Sequence, residues 1–300
     1  MGKGIAAGLA AGALWGLVFV APRMAPGLSA VDLAAGRFAS YGVFSALVMA
    51  LTRATHRLPT ARQAGAALGL SVLGFSGYYF LLVLAIADAG IEVPTLIIGT
   101  IPIWVMLLGK PVGLKWSSLL AGLTLTAAGL ALMMNATFTA AEIAPLTSGA
   151  LYWRGVAYAL VAMVSWTAFA ILNSAWLVRH REVSATEWTN WLGIATGLGA
   201  VLLWLLAGSD VKQLVAQENR AQAAMICIVT GIGAAWVATI FWNIASQRLS
   251  ASLCGQLIVS ETLFALLYAQ LWDGAWPGAQ PLLAAALFTL GIVASIRAHQ

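Results

Sequence analysis

Residues 155–178 read GVAYALVAMVSWTAFAILNSAWLV, a run without one charged side chain. As a helix rising 1.5 Å per residue it would cover about 36 Å, more than the ~30 Å hydrocarbon core of a bilayer. Its apolar residues are continuous rather than alternating, which makes it a helix and not a barrel strand. Reading outward, runs of the same kind occupy 4–21, 30–51, 64–87, 93–109 and 116–134 before it. After it come 188–207, 221–246, 249–272 and 277–296, so ten spans are expected.

Composition points the same way. Hydrophobic residues make up 61% of the chain and charged residues 8%, about a third of the soluble norm. A soluble domain cannot hide that much apolar surface. The connections are short and the longest, 135–154, falls halfway, which leaves no room for a soluble domain or an ATPase module. The first run could pass for a signal peptide, with Lys3 before it and small residues after. The repeat described below argues that it stays.

The formal charge of +5 comes from residues scattered singly between the runs, without the basic stripe that nucleic acid needs. Cys227 and Cys254 lie inside apolar runs as small core residues, and no CxxC pair is present. His56, His180 and His299 lie outside the runs, so the bilayer interior holds no haem or zinc ligands. Neither a metal nor a cofactor is expected.

Lysine and arginine set orientation. With the N-terminus inside, the cytoplasmic segments carry Lys3, Arg53, Arg57, Arg62, Lys110, Lys115, Arg179, Arg181, Arg248 and Arg297. The opposite side carries Arg23, Arg154, Lys212 and Arg220. Both termini are therefore expected in the cytoplasm.

The two halves resemble each other. Gly4 precedes Trp15 by the same interval as Gly155 precedes Trp166, and Leu28-Ser29-Ala30-Val31-Asp32 echoes Val183-Ser184-Ala185-Thr186-Glu187. Five spans per half is an odd number, so the second half enters the membrane from the opposite side. The expected fold is an all-α membrane protein of ten transmembrane helices in two inverted five-helix repeats, 1–135 and 155–300, joined by a loop at 136–154. Such repeats commonly build transporters that alternate access about a midplane site.

Small residues four apart mark close helix contacts in a bilayer. Gly8, Gly12 and Gly16 form such a stripe, and Gly65 with Gly69 and Gly193 with Gly197 repeat it. Charges inside spans are rarer and costly. Glu261 sits halfway along the ninth span and is a candidate functional group. Arg37 sits a third of the way into the second and is read as structural. In the fourth span Gly99-Thr100-Ile101-Pro102 should bend the helix, because proline cannot donate to the carbonyl four residues back. The repeat sets this bend opposite Gln256, Ser260 and Glu261, giving a candidate polar cluster. Trp166 and Asn173 share a helix face, as do Trp236, Thr239, Asn243 and Ser246, with Trp242 beside them. Tyr78 and Tyr79 lie deep in the third span. The bland alternative for any one aromatic is packing or lipid contact.

Gly74-Phe75-Ser76-Gly77 matches the GxSG of intramembrane serine proteases, but no histidine lies at span depth to serve as its base. A retinal site fails because every lysine lies outside the span centres. No catalytic residue is assigned.

The chain resembles the drug/metabolite transporter superfamily of the EamA type over nearly its whole length. The likeness rests on ten spans in two halves, Trp15 with Trp166, Arg37-Phe38 and Pro102. Within that superfamily it resembles the YddG-type aromatic amino-acid exporters, through Ile91-Glu92-Val93 and Trp242-Asn243. It departs from the common pattern at Ser260-Glu261, where relatives carry a proline in the ninth span. The resemblance implies a multi-pass protein of the bacterial inner membrane that exports amino acids, preferring aromatic and other bulky apolar ones. The candidate substrate contacts, from depth, helix face and the bend, are Trp15, Tyr78, Tyr79, Gly99, Thr100, Pro102, Trp166, Asn173, Trp242, Asn243, Gln256, Ser260 and Glu261. The rivals are the same fold with another cargo (nucleobase, sugar derivative or lipophilic cation) and a membrane protein that transports nothing. Expected partners are a small-molecule substrate and the lipid bilayer, with the oligomeric state open.

Overall fold

The computed structural model describes residues 1–25, 27–52, 58–140, 149–274 and 276–300, with 136–140 as backbone alone. Arg53, His56, Arg57 and residues 141–148 of the expected connecting loop lie outside the described residues. Among those described the protein is all-α, with no strand. Among the described residues nine helices are long and apolar enough to cross a membrane: α1 (Gly2–Phe19), α2 (Ala30–Leu51), α3 (Ala61–Ala89), α5 (Trp116–Asn135), α6 (Ala150–Arg179), α7 (Ala185–Ala207), α8 (Arg220–Arg248), α9 (Ala251–Asp273) and α10 (Ala279–Ala298). The fourth expected span, α4 (Glu92–Leu108), is apolar but shorter. At 1.5 Å per residue it reaches about 25 Å.

Side-chain caps start several of these helices. The echo between residues 28–32 and 183–187 proves to be a pair of equivalent N-caps. Ser29 Oγ accepts from the Asp32 amide at 3.0 Å, and Ser184 Oγ accepts from the Glu187 amide at 3.1 Å. Glu187 reaches back to the Ser184 amide at 2.9 Å, completing a capping box. Thr60 with Gln63 does the same for α3, and Ser250 caps α9.

Four helices break their regular winding. α1 tightens into a 3₁₀ turn at Leu17–Phe19. α3 widens into a π-turn at Val72–Ser76, and α8 at Gly231–Val237. Val72 stands eleven residues past the start of α3, and Gly231 eleven past the start of α8. α4 breaks at Thr100, whose φ of −81° and ψ of −8° lie at the edge of the helical region. Pro102 follows in the first turn of the second segment, and the Thr100 hydroxyl donates to the Ile97 carbonyl at 2.7 Å. The bend expected from Gly99–Pro102 is thus a break of the helix.

Glycines set the closest approaches. A Cβ on Gly42 of α2 would lie 2.6 Å from the Gly197 Cα of α7, so these helices cross backbone against backbone. Along α1, a Cβ on Gly4, Gly8, Gly12 or Gly16 would strike Leu249, Leu257, Ser260 or Phe264 and Ala265 in turn. The stripe is the seat of α1 on α9. Gly65 and Gly69 differ from expectation: nothing lies within 4 Å of a Cβ on either. They line an open apolar groove beside Leu172 and Trp176.

The helix pairings are α2 with α7, α5 with α10, α4 with α9, α3 with α6, α1 with α8, α1 with α9, and α4 with α6. α3 also packs on α7 and α8 on α2. Both segments of α4 pack on α6 and α5, and its packing on α9 belongs to the second segment. There the Ser252 amide donates to the Gly109 carbonyl at 3.0 Å and the Ser252 hydroxyl to Met106 at 2.9 Å. The outer surface exposes Leu47, Leu51, Leu68, Leu198, Leu202, Leu205 and Leu206 among many large apolar side chains. Apolar exposure on that scale belongs to a protein that faces lipid.

Candidate substrate site

Three indoles meet inside the bundle. Trp242 of α8 is buried between Trp15 of α1, at 5.4 Å between ring centroids, and Trp166 of α6, at 6.2 Å. Trp15 and Trp166 are the two tryptophans at matching positions of the halves. Aromatic contact continues from Trp166 to Phe169 at 5.9 Å and from Phe169 to Phe75 at 5.3 Å. Phe38 bridges Phe75 and Tyr79 at 6.0 and 5.9 Å. Tilted and edge-on geometries of this kind suit aromatic quadrupoles. They line the interior with flat apolar surface. The Trp242 Nε1 donor is buried without a partner.

Beside this wall stand three polar groups from three helices. Arg37 of α2, Tyr78 of α3 and Glu261 of α9 lie within electrostatic reach of one another, and all three are half-buried. The Arg37 guanidinium sits 4.8 Å from the Phe38 ring centroid, and its Nε is shut off from solvent with no hydrogen-bond partner. Among the described residues the ion pairs are Arg23–Asp273 at 2.8 Å and Arg154–Asp88 at 2.7 Å. Arg37 and Glu261 therefore do not close on each other. The π-turn of α8 braces this corner, since a Cβ on Gly231 would lie 2.6 Å from the Arg37 carbonyl.

Asp32, five residues before Arg37, is already engaged. Its carboxylate accepts from the Ser209 amide at 2.9 Å, the Ser209 hydroxyl at 2.6 Å and the Ser29 hydroxyl at 2.6 Å. It ties the start of α2 to the end of α7 and leaves Arg37 to other partners.

Other expected residues fall elsewhere. Asn173 and Asn243 are fully buried and bound to each other, Asn173 Nδ2 donating to Asn243 Oδ1 at 2.9 Å. Trp188 Nε1 donates to Asn173 Oδ1 at 2.7 Å, and Asn243 Nδ2 donates to Thr189 Oγ1 at 2.9 Å. This network knits α6, α7 and α8 together. Gln256 turns to α5 and α10, donating to Thr126 Oγ1 at 2.9 Å and accepting from Ser295 Oγ at 3.0 Å. Ser260 donates to its own helix at Leu257, at 2.7 Å, and lies against Gly12. The cluster of Gln256, Ser260 and Glu261 facing the bend is not formed, because only Glu261 of the three projects toward Arg37 and Tyr78. Near the bend, Thr100 Oγ1 accepts from Trp104 Nε1 at 3.2 Å and touches Met163 Sδ at 3.2 Å. Gly99 has Leu130 at 3.9 Å from a Cβ position, and Pro102 is buried. Tyr79 donates to the Ala30 carbonyl at 3.2 Å. Ser76 of the protease-like motif is buried in the π-turn, against the position a Cβ on Gly199 would take. No group of metal-binding residues occurs among the described ones.

Arg37 is the residue that sequence reasoning set aside. A signal for it was present. None of residues 33, 34, 40 and 41, its neighbours one turn away, is acidic, so its charge has no partner on its own helix.

These features define a multi-pass all-α membrane protein with half-buried polar side chains inside an apolar bundle. A solved crystal structure shares the fold over 100% of this chain and 99% of its own, with a TM-score of 0.77 at 20% identity. No protein-family model matches the chain. The inner membrane protein YtfF of Escherichia coli (strain K12) is 30% identical across 99% of this chain and 95% of its own length. The chain belongs to the family of that protein, within the drug/metabolite transporter superfamily of the EamA type. It is a transport-family membrane protein.

Proposed function

We propose that the protein is a secondary transporter that exports amino acids, aromatic and other bulky apolar ones preferred, by alternating access. The observation that carries this reading is the convergence of Arg37, Tyr78 and Glu261 beside the Trp15–Trp242–Trp166 wall. Polar groups without protein partners next to broad aromatic surface suit a small amphoteric molecule with an apolar body. We draw the substrate contacts from Trp15, Trp166, Trp242, Tyr78, Tyr79, Arg37 and Glu261. The break at Gly99–Pro102 serves as a hinge. Asn173, Asn243, Gln256 and Ser260 hold the scaffold.

The inverted repeat is part of this proposal, with halves 1–135 and 155–300. It is supported by pairings that exchange when the halves are swapped: α3–α6 with α1–α8, α1–α9 with α4–α6, and α3–α7 with α2–α8. The matching π-turns support it as well. With both termini in the cytoplasm, the seal of α4 on α9 at Gly109 and Ser252 lies on the cytoplasmic side.

The test is counterflow of radiolabelled tryptophan, phenylalanine and leucine in proteoliposomes, against a nucleobase, a sugar and a lipophilic cation. Saturable exchange of the aromatic amino acids, weaker for leucine and absent for the others, is expected. Exchange of a non-amino-acid cargo alone would refute the substrate assignment, and no exchange of anything would refute transport.

A further inference from the structure

Two opposite charges inside a bilayer ordinarily neutralise each other by contact. Arg37 and Glu261 lie near enough to feel each other but outside contact. Neither has a substitute on its own helix: residues 257, 258, 264 and 265, one turn from Glu261, are all uncharged. The acid nearest to Arg37 in sequence, Asp32, is filled by three donors from Ser29 and Ser209. Arg37 Nε has no acceptor, and among the described residues neither the Tyr78 hydroxyl nor the Glu261 carboxylate has a hydrogen-bond partner. A cation and an anion held apart, both unfilled, are complementary to a ligand that carries both signs itself.

We infer that Arg37 and Glu261 form a split charge pair that receives the two ends of a zwitterion, Arg37 taking the carboxylate and Glu261 the ammonium. The inference rests on the transport reading above and adds the two contacts that choose the cargo's charge. The Phe38 ring beneath the guanidinium holds it by a cation–π contact. It leaves the planar donor fork to meet a carboxylate from its open edge. Tyr78, in electrostatic reach of both charges, adds a hydroxyl to the cluster. A lone cation would satisfy Glu261 and leave Arg37 bare, and a lone anion would do the reverse. A neutral molecule would serve neither. Selection here works through the group left unpaired by the wrong ligand, which discriminates more sharply than a change of apolar bulk.

The experiment keeps one ring system and varies only the charges. Tryptophan, tryptamine and indole-3-propionate are titrated against purified detergent-solubilised protein, with thermal stabilisation as the readout. Each variant is scored by the ratio between ligands, so a partial loss of folded material cancels. Wild type is expected to bind tryptophan at least about tenfold more tightly than either singly charged analogue. Arg37→Gln should erase the preference over tryptamine while keeping that over indole-3-propionate. Glu261→Gln should do the reverse. If Arg37→Gln does not fold, Arg37→Lys stands in for it, with the preference over tryptamine reduced but not lost. A wild type that prefers a singly charged analogue, or binds none of the three, overturns the inference. So do variants that weaken all three ligands by one common factor, which would make the pair structural. Zwitterion selectivity in binding without counterflow in vesicles upholds the charge pair and sinks the transport reading instead.

Discussion

Asn243→Ala tests the division between site and scaffold. The substitution removes the acceptor of the Asn173 amide at 2.9 Å and the donor to Thr189 at 2.9 Å. Thr189 keeps its own bond to the Ala185 carbonyl, and Asn173 Oδ1 keeps Trp188 Nε1, so the group left stranded is the Asn173 N–H. A buried donor without a partner costs about 1–3 kcal/mol. The space left by the amide adds about 1 kcal/mol, for a total near 2–4 kcal/mol. At about 2–4 °C per kcal/mol for chains of this order of size, the midpoint falls by roughly 4–16 °C. Asn173→Ala should cost more, because it strands Trp188 Nε1 as well. The double variant should cost less than the two singles added, since the residues share one bond. The assay is thermal unfolding in detergent, with exposure of Cys227 and Cys254 reported by a thiol dye. Asn243→Cys in vesicles should resist polar thiol reagents with or without substrate. An unchanged midpoint together with substrate-protected labelling would refute the scaffold assignment and return Asn243 to the path.

Gly12→Ala would set a methyl 2.1 Å from Ser260 Oγ and 3.1 Å from the Glu261 amide. It should destabilise by about 1–3 kcal/mol, and Ser260→Ala in the same chain should recover part of that loss in the same unfolding assay. Pro102→Ala restores a backbone donor to the fourth span. It should leave insertion and folding intact but slow counterflow several-fold, and an unchanged rate would show that the break is not a hinge. Reporter fusions after Ala207 should read periplasmic and fusions after Gln300 cytoplasmic. A periplasmic C-terminus would remove the basis of the inverted repeat.

Much of the scaffold was legible because its signals are local. Run length gave the spans, and the echo between residues 28–32 and 183–187 was visible as a repeat, although its meaning as a pair of N-caps was not. Glycines four apart gave the seat of α1 on α9, and a proline gave the break in α4. The same glycine signal misled at Gly65 and Gly69, because spacing records that a face is smooth and not whether a neighbour comes to it. The polar cluster drawn around Gln256, Ser260 and Glu261 failed on helix phase. At 100° per residue, Gln256 points about 140° away from Glu261 and Ser260 about 100° away. Depth alone had placed them together. An amide facing lipid is costly, and Asn173 and Asn243, expected among the substrate contacts, are fully buried. Their partners, however, are each other, Trp188 and Thr189, and sequence separation hides such pairs.

The charges follow a rule of their own. Counting from the matched caps Ser29 and Ser184, Arg37 stands where the second half carries Leu192, which is fully buried. Counting from the starts of α4 and α9, Glu261 stands where the first half carries Pro102. Each half thus contributes one charge, and neither charge has a charged counterpart. A scaffold that needed a structural ion pair could take both members from adjacent turns of one helix, where they would touch. Here the cation comes from α2 and the anion from α9, with Tyr78 of α3 in reach of both, so the space among them belongs to no single helix. Any movement of α9 against α2 changes the separation of the two charges, and a ligand that bridges them senses that movement directly. Under the proposed charge pair, a molecule carrying both charges would contact α2 and α9 together, which links cargo recognition to their relative position.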